Sequence, residues 1–138
     1  WRDKELLKLT SGILKRISDR EVEKYFSKII NNKTDYNFLI IFNKKVIGHI
    51  SLAKRKNDWY ETQIVIGEKK YWGKGYGQKA IKILIKKARD SGISKIYLEV
   101  RLNNSRAIRA YEKCGFKKAR IIKYPKIKYL SRTLRMEI

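Results

Sequence analysis

One stretch constrains the fold more than any other. Trp59 to Ile66 (WYETQIVI) has the β-branched and aromatic make-up of a strand, residues 67–77 are rich in glycine and polar side chains, and Ala80, Ile81, Leu84, Ile85 and Ala88 then recur at helical spacing until Ser91-Gly92. Lys95 to Arg101 reads as a further strand. The unit is therefore a β-α-β crossover whose first connection is Trp72-Gly73-Lys74-Gly75-Tyr76-Gly77-Gln78. Free backbone N–H groups, the positive end of a helix and glycines without side chains converge at this turn, and such a spot binds phosphate. The same glycines also serve a tight turn with close helix packing, so the motif alone leaves both roles open. It is not a Walker A loop, because no Gly-Lys-Ser/Thr follows. Nor does it carry the dinucleotide fingerprint, since Lys95, Ile96 and Tyr97 stand where an acidic residue belongs.

The remaining elements frame this unit. Asp3 to Leu9 reads as a short helix, and Ser18-Asp19-Arg20-Glu21 is a capping box opening a second one, with Val22, Tyr25, Phe26, Ile29 and Ile30 at helical spacing and Asn31-Asn32 as its close. Two apolar stretches between Tyr36 and Lys54 flank Asn43-Lys44-Lys45 as an antiparallel hairpin. A helix from about Asn104 to Lys113 ends at Gly115. Two Lys/Arg-rich strands, at about Phe116–Tyr124 and Ile127–Met136, are separated by Pro125. The expected fold is α/β: a mixed, mostly antiparallel central sheet with flanking helices and one crossover.

Composition sets the outer limits. A chain of 138 residues can bury a single core, since about 150 residues remove roughly 70% of their unfolded surface from water, and 43% hydrophobic residues supply that core. One cysteine, Cys114, excludes an internal disulfide and a Cys-rich metal site. Apolar runs such as Phe38 to Phe42 fall far short of the ~20 residues that span a bilayer, and no metal site is expected. The expectation is one domain over residues 1–138, cytoplasmic and away from membranes. The net charge is +22, and between Lys117 and Ile138 eight lysines and arginines accompany one acid, Glu137. Such a surface is either solvated or fits a nucleic acid or other polyanion.

A second block makes a resemblance specific. Leu98-Glu99-Val100-Arg101 leads into Asn104, Ala107-Ile108, Tyr111-Glu112 and Gly115-Phe116. Together with the glycine turn this resembles the GNAT superfamily of N-acetyltransferases, in which a (Gln/Arg)-x-x-Gly-x-Gly/Ala turn is followed by Asn-x-x-Ala-x-x-x-Tyr-x-x-x-Gly-Phe. Trp72 departs from the first position of that pattern, at the cost of one side-chain contact. Tyr-Trp-Gly-Lys-Gly-Tyr looks like the variant of the branch resembling ribosomal-protein acetyltransferases. The family's first β-strand would precede Trp1.

The resemblance implies acetyl transfer from acetyl-coenzyme A to a primary amine in a direct ternary complex. It places the pantetheine arm along Ile64, Val65 and Ile66 and the pyrophosphate on Gly73, Lys74, Gly75, Tyr76, Gly77 and Gln78. Asn104 would bond the pantetheine or cap its helix. Tyr111 would be the general acid, and Glu99, twelve residues earlier, the base. Glu61 is the competing base, and an ion pair with a neighbouring cation is the structural alternative for Glu99. His49 is expected to be packed or hydrogen-bonded, and Cys114 buried and inert. A basic protein repels polyamines and aminoglycosides, which favours a protein N-terminus or lysine as acceptor, while among small-molecule amines a nucleotide-linked amino sugar, carrying a diphosphate, stays compatible with the charge. A non-catalytic, nucleic-acid-binding module on the same fold is the contrasting reading. Either a monomer or a homodimer fits the sequence.

Overall fold

The computed structural model describes residues 18–32, 34–126 and 132–138. The helix expected at Asp3 to Leu9 and the first five residues of the strand expected at 127–136 lie outside them. In chain order the elements are α1 (Asp19–Asn31), β1 (Tyr36–Phe42), β2 (Lys45–Lys54), β3 (Trp59–Ile66), α2 (Tyr76–Asp90), β4 (Lys95–Arg101), α3 (Ser105–Glu112), β5 (Lys117–Lys123) and β6 (Arg132–Glu137).

The six strands form one mixed sheet in the order β1-β2-β3-β4-β6-β5, with β3 and β4 parallel and every other neighbouring pair antiparallel. This is the expected architecture, and α2 is the helix of its crossover. The capping box of α1 is formed: Ser18 Oγ accepts the Glu21 N–H at 3.3 Å and the Glu21 carboxylate accepts the Ser18 N–H at 2.8 Å. Tyr25 and Phe26, expected on its packed face, stay nearly half exposed. The β1–β2 hairpin turns on two residues, Asn43 and Lys44, both at positive φ, so Lys45 belongs to the strand rather than to the turn.

One layer of helices covers the sheet on one face. Ile81, Leu84, Ile85 and Ala88 of α2 are buried against Ile50, Leu52, Ile96, Leu98, Val100, Leu134 and Met136, with Phe116 and Cys114 below and Ala107, Ile108 and Tyr111 of α3 packed alongside. Gly48 lets β2 and β3 approach: a Cβ there would stand 2.3 Å from the Val65 carbonyl oxygen.

Strands β3 and β4 pair only at Trp59↔Lys95, Tyr60↔Ile96 and Glu61↔Tyr97. Beyond that point β3 stays with β2 as far as Ile66, and β4 stays with β6 as far as Arg101. The sheet thus opens between two wings, and the opening leads toward the glycine turn.

Candidate active site

Backbone conformation explains the glycines of the turn. Gly73 and Gly75 sit at φ +74° and +81°, and a Cβ added at either would meet nothing within 4 Å. Their requirement is therefore conformational, and the space beside them is open. Gly75 is the N-cap of α2 and no side chain caps the helix, whose first intrahelical bond runs from the Lys79 N–H to the Gly75 carbonyl at 3.0 Å. The N–H groups of Tyr76, Gly77 and Gln78 precede that bond and add to the positive helix end. The helix starts earlier than the apolar spacing from Ala80 implies, because its first turn is the glycine run itself. Lys74 is exposed on the turn, and the Tyr76 ring packs on Phe42 at 4.7 Å between centroids. The residues present fit a diphosphate.

Trp72 does more than forgo a contact. Its Nε1–H donates to the Ile66 carbonyl at 2.8 Å and ties the turn to the end of β3. The guanidinium carbon of Arg106 lies 4.4 Å from the centroid of the Trp72 ring.

The ladder decides which backbone groups of β3 face the opening. The Gly67 N–H bonds the Ile47 carbonyl at 3.0 Å and the Arg55 N–H bonds the Trp59 carbonyl at 2.7 Å, so the odd-numbered residues of β3 are the ones bonded to β2. Thr62, Ile64 and Ile66 turn their backbone groups toward β4. Of the three residues expected to line a pantetheine arm, Val65 is thereby corrected: its polar backbone groups are committed to His49, its register partner. Ile64 and Ile66 present theirs, with the Ile66 carbonyl already held by Trp72.

Glu99 lies on the face of β4 opposite the core. Its Oε2 accepts two hydroxyls at 2.6 Å, Tyr124 Oη and Thr133 Oγ1, rather than a neighbouring cation. Burial, and then the bond to Glu99, push the Tyr124 phenol up to about 12. Oε1 of Glu99 has no hydrogen-bond partner among the described residues. Glu61 is engaged by Arg55, whose Nε and Nη2 stand 2.9 and 2.8 Å from its Oε2. Arg135 stacks 3.6 Å over the Tyr97 ring and 4.9 Å over Trp59.

Tyr111 stands on the helix side of the sheet, packed edge-on against Phe116 at 6.2 Å, and burial pushes its phenol up to about 12. The structure therefore places Tyr111 and Glu99 on opposite faces, with no bond between them. Asn104 caps α3, accepting the Ala107 N–H at 3.2 Å. Cys114 is buried with its thiol on the Gln78 carbonyl at 3.7 Å, and burial raises its pKa. His49 Nε2 lies 3.2 Å from Asn37 Oδ1, and burial lowers its pKa. Among the described residues no group of three or more His, Cys, Asp or Glu could hold a metal ion, and no helix is long and apolar enough to cross a membrane.

Sequence reasoning missed Tyr124, Thr133 and Arg106. The first two lie 25 and 34 residues from Glu99 and reach it because β6 inserts between β4 and β5. No local spacing announces that insertion. Arg106 was legible only as one more cation.

Comparison with known proteins bears on this geometry. The model of the acetyltransferase (GNAT) family matches residues 4–116. A curated, uncharacterised protein of Methanocaldococcus jannaschii is 30% identical over 91 residues, which is 64% of this chain and 19% of that protein, so the match spans about a fifth of the relative's length. The spermidine N-acetyltransferase of Vibrio cholerae, solved with coenzyme A and spermine, superposes with a TM-score of 0.82 at 24% identity, over 99% of this chain and 83% of that one. A chimera of that spermidine N-acetyltransferase superposes with a TM-score of 0.77 at 26% identity, over 98% and 86%.

Proposed function

Because the chain belongs to the GNAT family of acetyltransferases, we propose that it moves an acetyl group from acetyl-coenzyme A directly to a primary amine, without an acyl-enzyme. The observation that carries this reading is the meeting, at one end of β3, of an open anion-binding turn with an opening in the sheet edged by unspent backbone groups. The turn at residues 73–78 receives the diphosphate. The arm that follows lies in the opening against Ile64 and Ile66 as an added strand would, and an N–H there polarises the thioester carbonyl.

The chemistry then needs one proton removed and one delivered. The amine lone pair adds to the carbonyl carbon, the C–S bond breaks, the amine proton leaves toward a base and the thiolate takes a proton. Oε1 of Glu99 is the acceptor we assign for the first, directly or through one water, while Thr133 and Tyr124 fix the carboxylate through Oε2. Tyr111 serves the second from the other face. A phenol at about 12 is always in its donor form at neutral pH. Transfer to a thiol of ordinary pKa near 8.5 would be uphill, but the dry surroundings that raise the phenol raise a thiol too. The sulfur would stand in the opening, within reach of both faces.

The acceptor we favour is a protein N-terminus or lysine. The strand Leu98-Glu99-Val100-Arg101 and the Trp72 turn support a place near the ribosomal-protein acetyltransferases, and a net charge of +22 opposes entry of a free polycation. A small amine is the second reading. It is supported by the likeness to a spermidine N-acetyltransferase and by two carboxylates, Glu61 and Glu99, on the same face beside Tyr97.

Thiol release from acetyl-coenzyme A with a panel of N-terminal peptides, lysine peptides, spermidine and an aminoglycoside tests the proposal, alongside melting with and without donor. A donor-specific rise in Tm with peptide-dependent turnover is the expected result. Ligand at 100 times its Kd adds about 2.7 kcal/mol to the stability of the fold that binds it. A shift given equally by RNA and erased by salt would instead mark a basic binding module.

A further inference from the structure

Arg106 presents an arrangement that the transfer chemistry does not use. It is the second residue of α3, exposed, and its contact among the described residues is the Trp72 indole, 4.4 Å from guanidinium carbon to ring centroid. No carboxylate pairs with it there. The acids nearest in sequence and along the turn are engaged elsewhere: Glu112 with Lys118, and Glu68 with Lys45 and Lys70. The indole is itself fixed, because its Nε1–H is bonded to the Ile66 carbonyl at the mouth of the opening. A guanidinium laid on an aromatic face keeps its in-plane N–H donors free, and that fork matches a phosphate. The platform is one residue before Gly73, so the donors are carried to the rim of the turn whose side is open.

We propose that Arg106, seated on Trp72, is a second clamp on the donor's diphosphate, supplying from α3 the polar contact that position 72 gives up by being tryptophan. The pairing explains the departure of the turn from its usual first residue: the tryptophan is a platform, and the charge comes from another helix. The proposal rests on the reading that the turn holds coenzyme A.

Equilibrium binding separates the two claims. Calorimetric Kd values are measured for coenzyme A and for 3′-dephospho-coenzyme A, which keeps the diphosphate, on wild type, Arg106→Gln and Arg106→Lys, with Tm values as a check on folding. The expected result is that Arg106→Gln weakens both ligands alike, by about tenfold or more, and that Arg106→Lys recovers only part of the loss because a point charge cannot form the fork. Trp72→Phe, which keeps a ring but loses its tether, should give an intermediate loss. Binding by Arg106→Gln within twofold of wild type would overturn the proposal and leave the reading of the turn intact. So would a loss confined to coenzyme A, since that would put Arg106 on the 3′-phosphate. If wild type bound neither ligand, the reading of the turn would fall, and this proposal with it.

Discussion

At the scale of the residue, the two tyrosines whose phenols are pushed up to about 12 are the most informative groups. Tyr111 and Tyr124 both lie near 12, the first through burial and the second through burial and its bond to Glu99. A phenol whose folded pKa exceeds its unfolded value of about 10 contributes stability that is complete below pH 10 and is lost as pH rises toward 12. Tyr111→Phe should therefore flatten the alkaline fall in Tm between pH 10 and 12. It should lower kcat about 100-fold while leaving the Kd of coenzyme A unchanged. Phenolate absorbance and single-turnover rates check the two halves, and an unchanged kcat would remove Tyr111 from the proton path. Tyr111 itself was legible in the sequence, because the block from Asn104 to Phe116 fixes its distance from the helix cap and from the strand before it. Its protonation was not legible, since that depends on what packs around the ring.

At the scale of the element, the β5–β6 hairpin decides how Glu99 is held. Tyr124, just after β5, and the buried Thr133 of β6 converge on one carboxylate oxygen, so Glu99 is positioned by chain that follows α2 and α3. Tyr124→Phe and Thr133→Val should each cost about 1 kcal/mol of stability for the lost hydrogen bond. Acting through Glu99, each should reduce kcat more than the KM for acetyl-coenzyme A. A change confined to Tm would reduce both residues to structural props. The contrast between legible and hidden parts is sharp at this scale. The strand, turn and helix from Trp59 to Asp90 announce themselves through β-branching, glycines and helical spacing, and β3 and β4 appear with the bounds expected. The β6 insertion and the parting of β3 from β4 leave no periodic trace, because register between distant strands is a property of the assembled sheet. That is why Glu99 was a candidate from the sequence while its two partners were not.

At the scale of the whole molecule, the charge of +22 acts on everything the fold does. Like charges repel within the compact state, and most of the cations are exposed, so screening should stabilise it. Raising sodium chloride from about 20 to 300 mM shortens the screening length from roughly 20 to 6 Å and should raise Tm. The expected rise is monotonic and independent of the salt's cation; a fall would show that surface ion pairs such as Lys45–Glu68 outweigh the repulsion. The same field gathers anions toward the glycine turn and holds back cationic amines, so donor and acceptor should respond to salt in opposite directions.

The strand order adds a consequence in time. β6 fills the slot between β4 and β5, yet it is made after both of them. Whenever β6 is out of its slot, β4 presents an unpaired edge of N–H and C=O groups beside an apolar face, the surface on which partly folded chains pair with one another. A chain with β6 out of place therefore has an open sheet and a Glu99 carboxylate without its bond from Thr133. Slow entry of β6 into that slot should therefore show as association of refolding chains that rises with protein concentration, and a refolding yield independent of concentration would overturn this.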